Sequence, residues 1–140
     1  MGFIRVVFLF FIMLTSASVT YAEEVIANSS VNQKVVDRSF LLSTFSMRLN
    51  RWPDGTPMRV FVLPDDHELH GTFVKNSLEV FPYQLRSIWD RAVFSGAGRA
   101  PTQVEDISEM LEKVSTTRGA IGYITQDVEL VKGVHKLEVK

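Results

Sequence analysis

The chain contains no cysteine. That excludes disulfides, thiol catalysis and thiolate-held metals, and it removes the lipid-bearing cysteine of a bacterial lipoprotein. Histidine is scarce, with three in 140 residues. There is no G-x-S-x-G nucleophile elbow and no pair of histidines at i and i+4. Charge of one sign is not in excess: 15 Lys and Arg stand against 16 Asp and Glu, a net charge of −1. Nothing in that balance steers the chain to nucleic acid or to an anionic membrane surface. Basic residues are scattered, except for Arg48, Arg51 and Arg59, which flank a turn. No internal repeat or low-complexity tract occurs.

Long apolar runs are equally rare, and the one that matters is N-terminal. Met1–Arg5 carries one positive charge, Val6–Leu14 is unbroken apolar sequence, and Thr15–Ala22 is polar and small before Glu23-Glu24. That order is a secretory signal peptide over residues 1–22, cleaved before Glu23. An uncleaved anchor is the competing reading, and the polar Thr15–Thr20 end argues against it. Residues 23–140 then form one domain, large enough to bury a core without staples. An exported fold of this size without disulfides fits a bacterial periplasm.

Strands and helices alternate along that domain. Val25-Ile26-Ala27 reads as a buried strand stopped by Asn28-Ser29-Ser30, which also matches a glycosylation sequon. Asp37 caps a helix with Phe40, Leu41, Phe45 and Met47 as apolar positions. Trp52-Pro53-Asp54-Gly55 is turn chemistry, and Met58–Leu63 is the clearest strand. Asp65, three residues before Glu68, predicts a capping box for a helix through Leu69, Phe73 and Leu78. Pro82 opens a helix with Leu85, Ile88, Trp89, Ala92 and Val93 on its apolar face, ended by Gly96-Ala97-Gly98. A short strand at Thr102-Gln103-Val104 precedes an Asp106/Glu109-capped helix with Ile107, Met110, Leu111 and Val114 inward. Ala120–Ile124 reads as a buried strand. Val134–Val139 reads as a half-exposed one, with His135, Leu137 and Val139 on one face. The pattern is α/β, with a sheet of about five strands flanked by helices.

Several of these blocks, in this order, resemble the periplasmic substrate-binding proteins of phosphate ABC transporters. They are Phe45–Trp52 leading into Met58–Leu63, Gln84-Leu85 with Trp89, Phe94-Ser95-Gly96-Ala97-Gly98, and Gly119-Ala120-Ile121-Gly122-Tyr123-Ile124. The resemblance runs from about Val25 to Val139 and implies a single lobe of periplasmic-binding-protein type. It further implies phosphate or another oxyanion as ligand and an ABC permease as partner. In that family an Arg and then Ser-Gly-Thr open the helix after the central strand and bind the anion. Here Asp66 stands where the Arg would be, and His70, Gly71 and Thr72 take the place of Ser-Gly-Thr. Asp65, Asp66 and Glu68 crowd the same helix end, which repels an anion.

The ligand-binding candidates are therefore His70, Gly71 and Thr72, together with the loop residues Ser95, Gly96, Gly98 and Arg99. That loop offers amides and a guanidinium to an anion, although a glycine pair after a helix is also an ordinary C-cap. His67 and His70 share a helical face at i, i+3 and are metal-ligand types, but a polar, solvated helix start explains them as well. Trp89 reads as core, and Phe81-Pro82-Tyr83 as an exposed contact. Adjacent carboxylates at Asp65-Asp66 do not place an acid and a base on opposite sides of a substrate. The expectation is a non-enzymatic domain with no cofactor. It is either a solute-binding domain with weak oxyanion affinity, in which two chains paired would supply the second half of a site, or an exported interaction module without a ligand.

Overall fold

The computed structural model describes residues 22–140, so the expected leader lies outside the described residues except for Ala22. No helix among the described residues is long and apolar enough to cross a membrane. The strands are β1 (Glu23–Asn28), β2 (Val35–Val36), β3 (Arg59–Val62), β4 (Thr102–Gln103), β5 (Ala120–Thr125) and β6 (Val134–Val139). They form one sheet in the order β2-β6-β1-β5-β3-β4. β1 is antiparallel to β5 and β6, while β3 runs parallel to both β5 and β4. The sixth strand, beyond the five expected, is the two-residue β2. It pairs parallel to β6 and is too short to leave a periodic signal in the sequence.

The helices are α1 (Arg38–Phe45), α2 (Glu68–Phe73), α3 (Pro82–Phe94) and α4 (Ile107–Thr116). One π turn, Val74–Leu78, extends α2 and keeps Val74 and Leu78 buried. Asp37 caps α1 through the Phe40 amide at 2.7 Å, and Asp106 caps α4 through the Glu109 amide at 2.8 Å, both as the spacing predicts. The expected capping box at Asp65 does not form. His67 is the N-cap of α2, accepting from the Leu69 amide at 3.1 Å. Asp65 instead pairs with Arg86 of α3, because the chain turns at Pro64 and brings α3 alongside.

Residues of β5 alternate between two helical layers. Gly122 lies under α4, where a Cβ would come within 2.5 Å of Met110 Sδ. Tyr123 points the other way, its ring 4.0 Å from Phe73 and 5.9 Å from Phe45. β5 is thus buried on both faces, which is why Ala-Ile-Gly-Tyr-Ile reads as continuous apolar sequence. Both tryptophans are buried with their donors satisfied: Trp89 Nε1 donates to the Phe45 carbonyl at 2.8 Å, and Trp52 Nε1 to the Gly119 carbonyl at 2.9 Å. The buried Asn28 side chain donates to the Val114 and Ser115 carbonyls and so closes the C-terminal end of α4. Along α3 only Leu85 and Trp89 are buried, whereas Val93 of the expected apolar face is exposed. The end of α3 runs past the edge of the core, so among the described residues Val93 and Phe94 of its last turn stay exposed.

Candidate functional site

β3 ends in Val62, and Leu63 and Pro64 lead to Asp65 at the C-terminal edge of the sheet. In open α/β sheets ligands gather at that edge. Asp65 accepts two hydrogen bonds from Arg86, Nε to Oδ2 at 2.8 Å and Nη2 to Oδ1 at 2.9 Å, in fork geometry. Arg86 holds this position by stacking over Trp89, with 5.0 Å from the guanidinium carbon to the ring centroid. Its Nη1 is also 3.9 Å from Asp90 Oδ1, one helical turn on. The Arg86 hydrogen bonds hold the Asp65 carboxyl below the usual carboxylate range.

Behind this pair His70 is fully buried. Its Nδ1 is hydrogen-bonded to the Tyr123 hydroxyl, which also accepts from the Leu63 amide at 2.9 Å. With the Tyr123 hydroxyl accepting the Leu63 N–H, the tautomer that also uses the hydroxyl proton has His70 Nδ1 accepting it. In that tautomer Nδ1 carries no hydrogen and Nε2 is the ring's one N–H donor. Nε2 has no hydrogen-bond partner among the described residues, and Asp65 Oδ1 lies 3.7 Å away, beyond hydrogen-bond range.

Burial pushes His70 below its ordinary value of 6.5, with Asp65 opposing that shift. Burial also raises the Tyr123 hydroxyl, so it stays protonated at neutral pH. The folded state therefore takes up the His70 proton at lower pH than the unfolded chain, which is protonated below about 6.5. The unfolded state binds more protons in that window, so stability must fall as pH drops through it. Urea unfolding between pH 7 and pH 5 is expected to lose up to about 1.4 kcal/mol per pH unit from this one group. His70→Gln should remove that slope. An equal slope in His70→Gln would assign the pH dependence to another group.

The remaining sequence candidates are placed less favourably for a ligand. The Gly71 amide donates to the His67 carbonyl at 3.2 Å, and Thr72 Oγ1 donates to the Glu68 carbonyl at 3.1 Å. Both are spent within α2, as their position inside the helix implies. In the loop after α3, the Ser95 amide bonds the Arg91 carbonyl, Gly96 the Val93 carbonyl and Gly98 the Ala92 carbonyl, while the Ala97 amide meets Ser95 Oγ. Gly96 has φ +68°, so this loop is a glycine C-cap with its amides in use. The exposed Arg99 guanidinium makes no ion pair among the described residues and is what the loop still offers an anion. The two candidate groups stand apart: Ser95 lies nine residues beyond Arg86 on α3, roughly 13 Å along its axis. His67 and His70 do not combine either, since one caps α2 and the other is buried against Tyr123. No cluster of three or more potential metal ligands occurs among the described residues.

The sequence reading missed Arg86 and Tyr123. Arg86 sits between apolar positions of α3 with no motif around it, and its i, i+4 spacing to Asp90 is the one local signal. Tyr123 reads as core because its ring is core, while its hydroxyl finds partners that are distant in sequence.

A scan of protein-family models finds no match, and neither does a search of curated proteins. Solved structures do match. A putative phosphate ABC transporter substrate-binding protein with bound phosphate from Clostridium perfringens superposes with a TM-score of 0.67 at 14% identity, over 85% of this chain and 45% of that one. PstS from Borrelia burgdorferi gives 0.65 at 16% identity, over 85% and 47%. An ABC-type phosphate transport receptor from Vibrio cholerae gives 0.62 at 14% identity, over 85% and 46%. The chain has the fold of one lobe of a phosphate-type periplasmic binding protein. It spans less than half the length of the structures it matches. At these identities the likeness carries the fold, and the site residues of this lobe are its own.

Proposed function

We propose that this chain is an exported, non-enzymatic, single-lobe domain of solute-binding type. It works in the periplasm with an ABC permease or another periplasmic protein, and it holds oxyanions such as phosphate only weakly. The observation that supports weak oxyanion binding is the Asp65–Arg86 pair: at the C-terminal edge of the sheet, a carboxylate of the chain itself occupies the guanidinium fork. A single lobe also lacks the second half that closes over a ligand and excludes water in two-lobed receptors.

The test is a titration of the exported protein, purified from a secreting host and checked by mass for a start at Glu23, with inorganic phosphate. Backbone amide shifts at Ser95–Arg99 are expected to move with a dissociation constant in the millimolar range. Arg99→Ala should weaken that binding at least about tenfold, since a charge-assisted contact is worth roughly 1.5–3 kcal/mol. Saturation at micromolar phosphate would refute the weak-site reading, and indifference to Arg99→Ala would remove the loop from it.

The second reading is an interaction module without a ligand, and one surface favours it. Tyr83 and Phe94, 68% and 92% exposed, share a face of α3 eleven residues apart, with Phe81 stacked on Tyr83. Exposed aromatics of this kind mark contact surfaces more often than random surface does. Absence of any phosphate response up to tens of millimolar would favour this reading.

A further inference from the structure

We propose that Arg86 and His70 form a masked oxyanion site, and that Asp65 is its built-in competitor. The inference rests on the oxyanion reading above and names a different place for the stronger site.

Three N–H donors converge where the Asp65 carboxylate now lies. Arg86 Nε and Nη2 reach its two oxygens at 2.8 and 2.9 Å. His70 Nε2, the donor left over once Nδ1 has bonded Tyr123, faces Oδ1 from 3.7 Å. Oδ1 accepts from Nη2 and stands beyond hydrogen-bond range of Nε2. A planar carboxylate tethered to the backbone at residue 65 fills the guanidinium fork and falls short of the imidazole. A free tetrahedral oxyanion is not tethered and carries oxygens out of one plane, so it can occupy the fork and still accept from His70. A buried donor without a partner is rare in folded proteins and calls for an explanation, and a larger anion supplies one.

The mask can move. The Asp65 and Arg86 side chains are 40% and 37% exposed, so the carboxylate can swing into solvent without disturbing the core. The donors stay in place without it. Arg86 remains stacked on Trp89, and His70 is held by Tyr123, whose hydroxyl is in turn fixed by the Leu63 amide. The neighbouring carboxylate of Asp90, 3.9 Å from Arg86 Nη1, is the group that would next compete for the guanidinium.

The experiment compares inorganic phosphate binding by the wild-type protein and by Asp65→Ala, with circular dichroism to confirm folding. Asp65→Asn serves as a second variant that keeps the side-chain shape. Asp65→Ala is expected to bind phosphate at least about tenfold more tightly than wild type, because it frees a charge-assisted fork. Asp65→Ala/Asp90→Asn should bind at least as tightly as Asp65→Ala. Adding Arg86→Gln should abolish the gain, and adding His70→Gln should reduce it. The new response should appear at Leu69–Gly71 and Arg86, and it should survive Arg99→Ala. Folded Asp65→Ala, Asp65→Asn and Asp65→Ala/Asp90→Asn proteins with wild-type affinity would overturn the masked site, while a wild-type response at Arg99 would leave the earlier reading standing. A gain in Asp65→Ala alongside a wild type that is indifferent to Arg99→Ala would do the opposite.

Discussion

Gly119→Ala is expected to destabilise the fold by about 2–5 kcal/mol. Two costs add. Gly119 has φ +74°, where an L residue loses about 1–2 kcal/mol. A Cβ there would stand 2.1 Å from the Pro57 carbonyl oxygen and 3.3 Å from Thr56 Cγ2. Neither side can retreat cheaply. The Gly119 carbonyl accepts from both Trp52 Nε1 at 2.9 Å and the Arg59 amide at 3.1 Å, and its own amide donates to Ser30 Oγ at 3.0 Å. Shifting the backbone would break the bonds that seat Trp52 and start β3 against β5. Overpacking against backbone adds a further 1–3 kcal/mol. Thermal unfolding should fall by at least about 10 °C for a domain of this size. Gly55→Ala is the control, because Gly55 has φ +89° but open space where its Cβ would go. It should show the conformational cost alone, about 1–2 kcal/mol. Equal losses in the two variants would show that the Pro57 contact costs nothing.

Tyr123→Phe should cost roughly 2–6 kcal/mol while leaving the stacked ring in place. The ring contributes its contacts with Phe73 and Phe45 through atoms that phenylalanine keeps. What disappears is the hydroxyl, which serves the Leu63 amide and His70 Nδ1 together. Each buried group left without a partner costs about 1–3 kcal/mol, much more than the net value of the bond itself. The two losses are also linked through one atom. A double-mutant cycle with His70→Leu should therefore show a coupling of about 1 kcal/mol or more between positions 53 residues apart in sequence. Urea unfolding measures both quantities. A Tyr123→Phe protein within about 0.5 kcal/mol of wild type would mean the hydroxyl is not what holds His70.

How much was legible in the sequence depended on how local each cause was. Asp37 and Asp106 cap their helices because the groups they satisfy lie three residues away. The buried strand Ala120–Thr125 was readable because burial on both faces demands an unbroken apolar run. The Asp65 capping box failed for the complementary reason. The helix starts two residues later, with His67 capping it through the Leu69 amide, and Arg86, 21 residues away, offered Asp65 a two-bond fork. The exposed end of α3 was misread because periodicity marks an apolar face without saying whether anything covers it.

The sequence by itself determined the α/β alternation, the glycine turns and the Asp37 and Asp106 helix caps, since these follow from backbone sterics and from hydrogen bonds within a few residues. It also determined, through Asp65, Asp66 and Glu68, that the start of α2 would be acidic. Tertiary structure alone decided what that acidity does. Only when α3 packs beside the end of β3 does Asp65 meet Arg86, and only when β5 passes beneath α2 does Tyr123 turn His70 so that one imidazole donor faces the pair. Long-range side-chain geometry has no signature in local spacing, because it arises from the packing of elements and not from their formation.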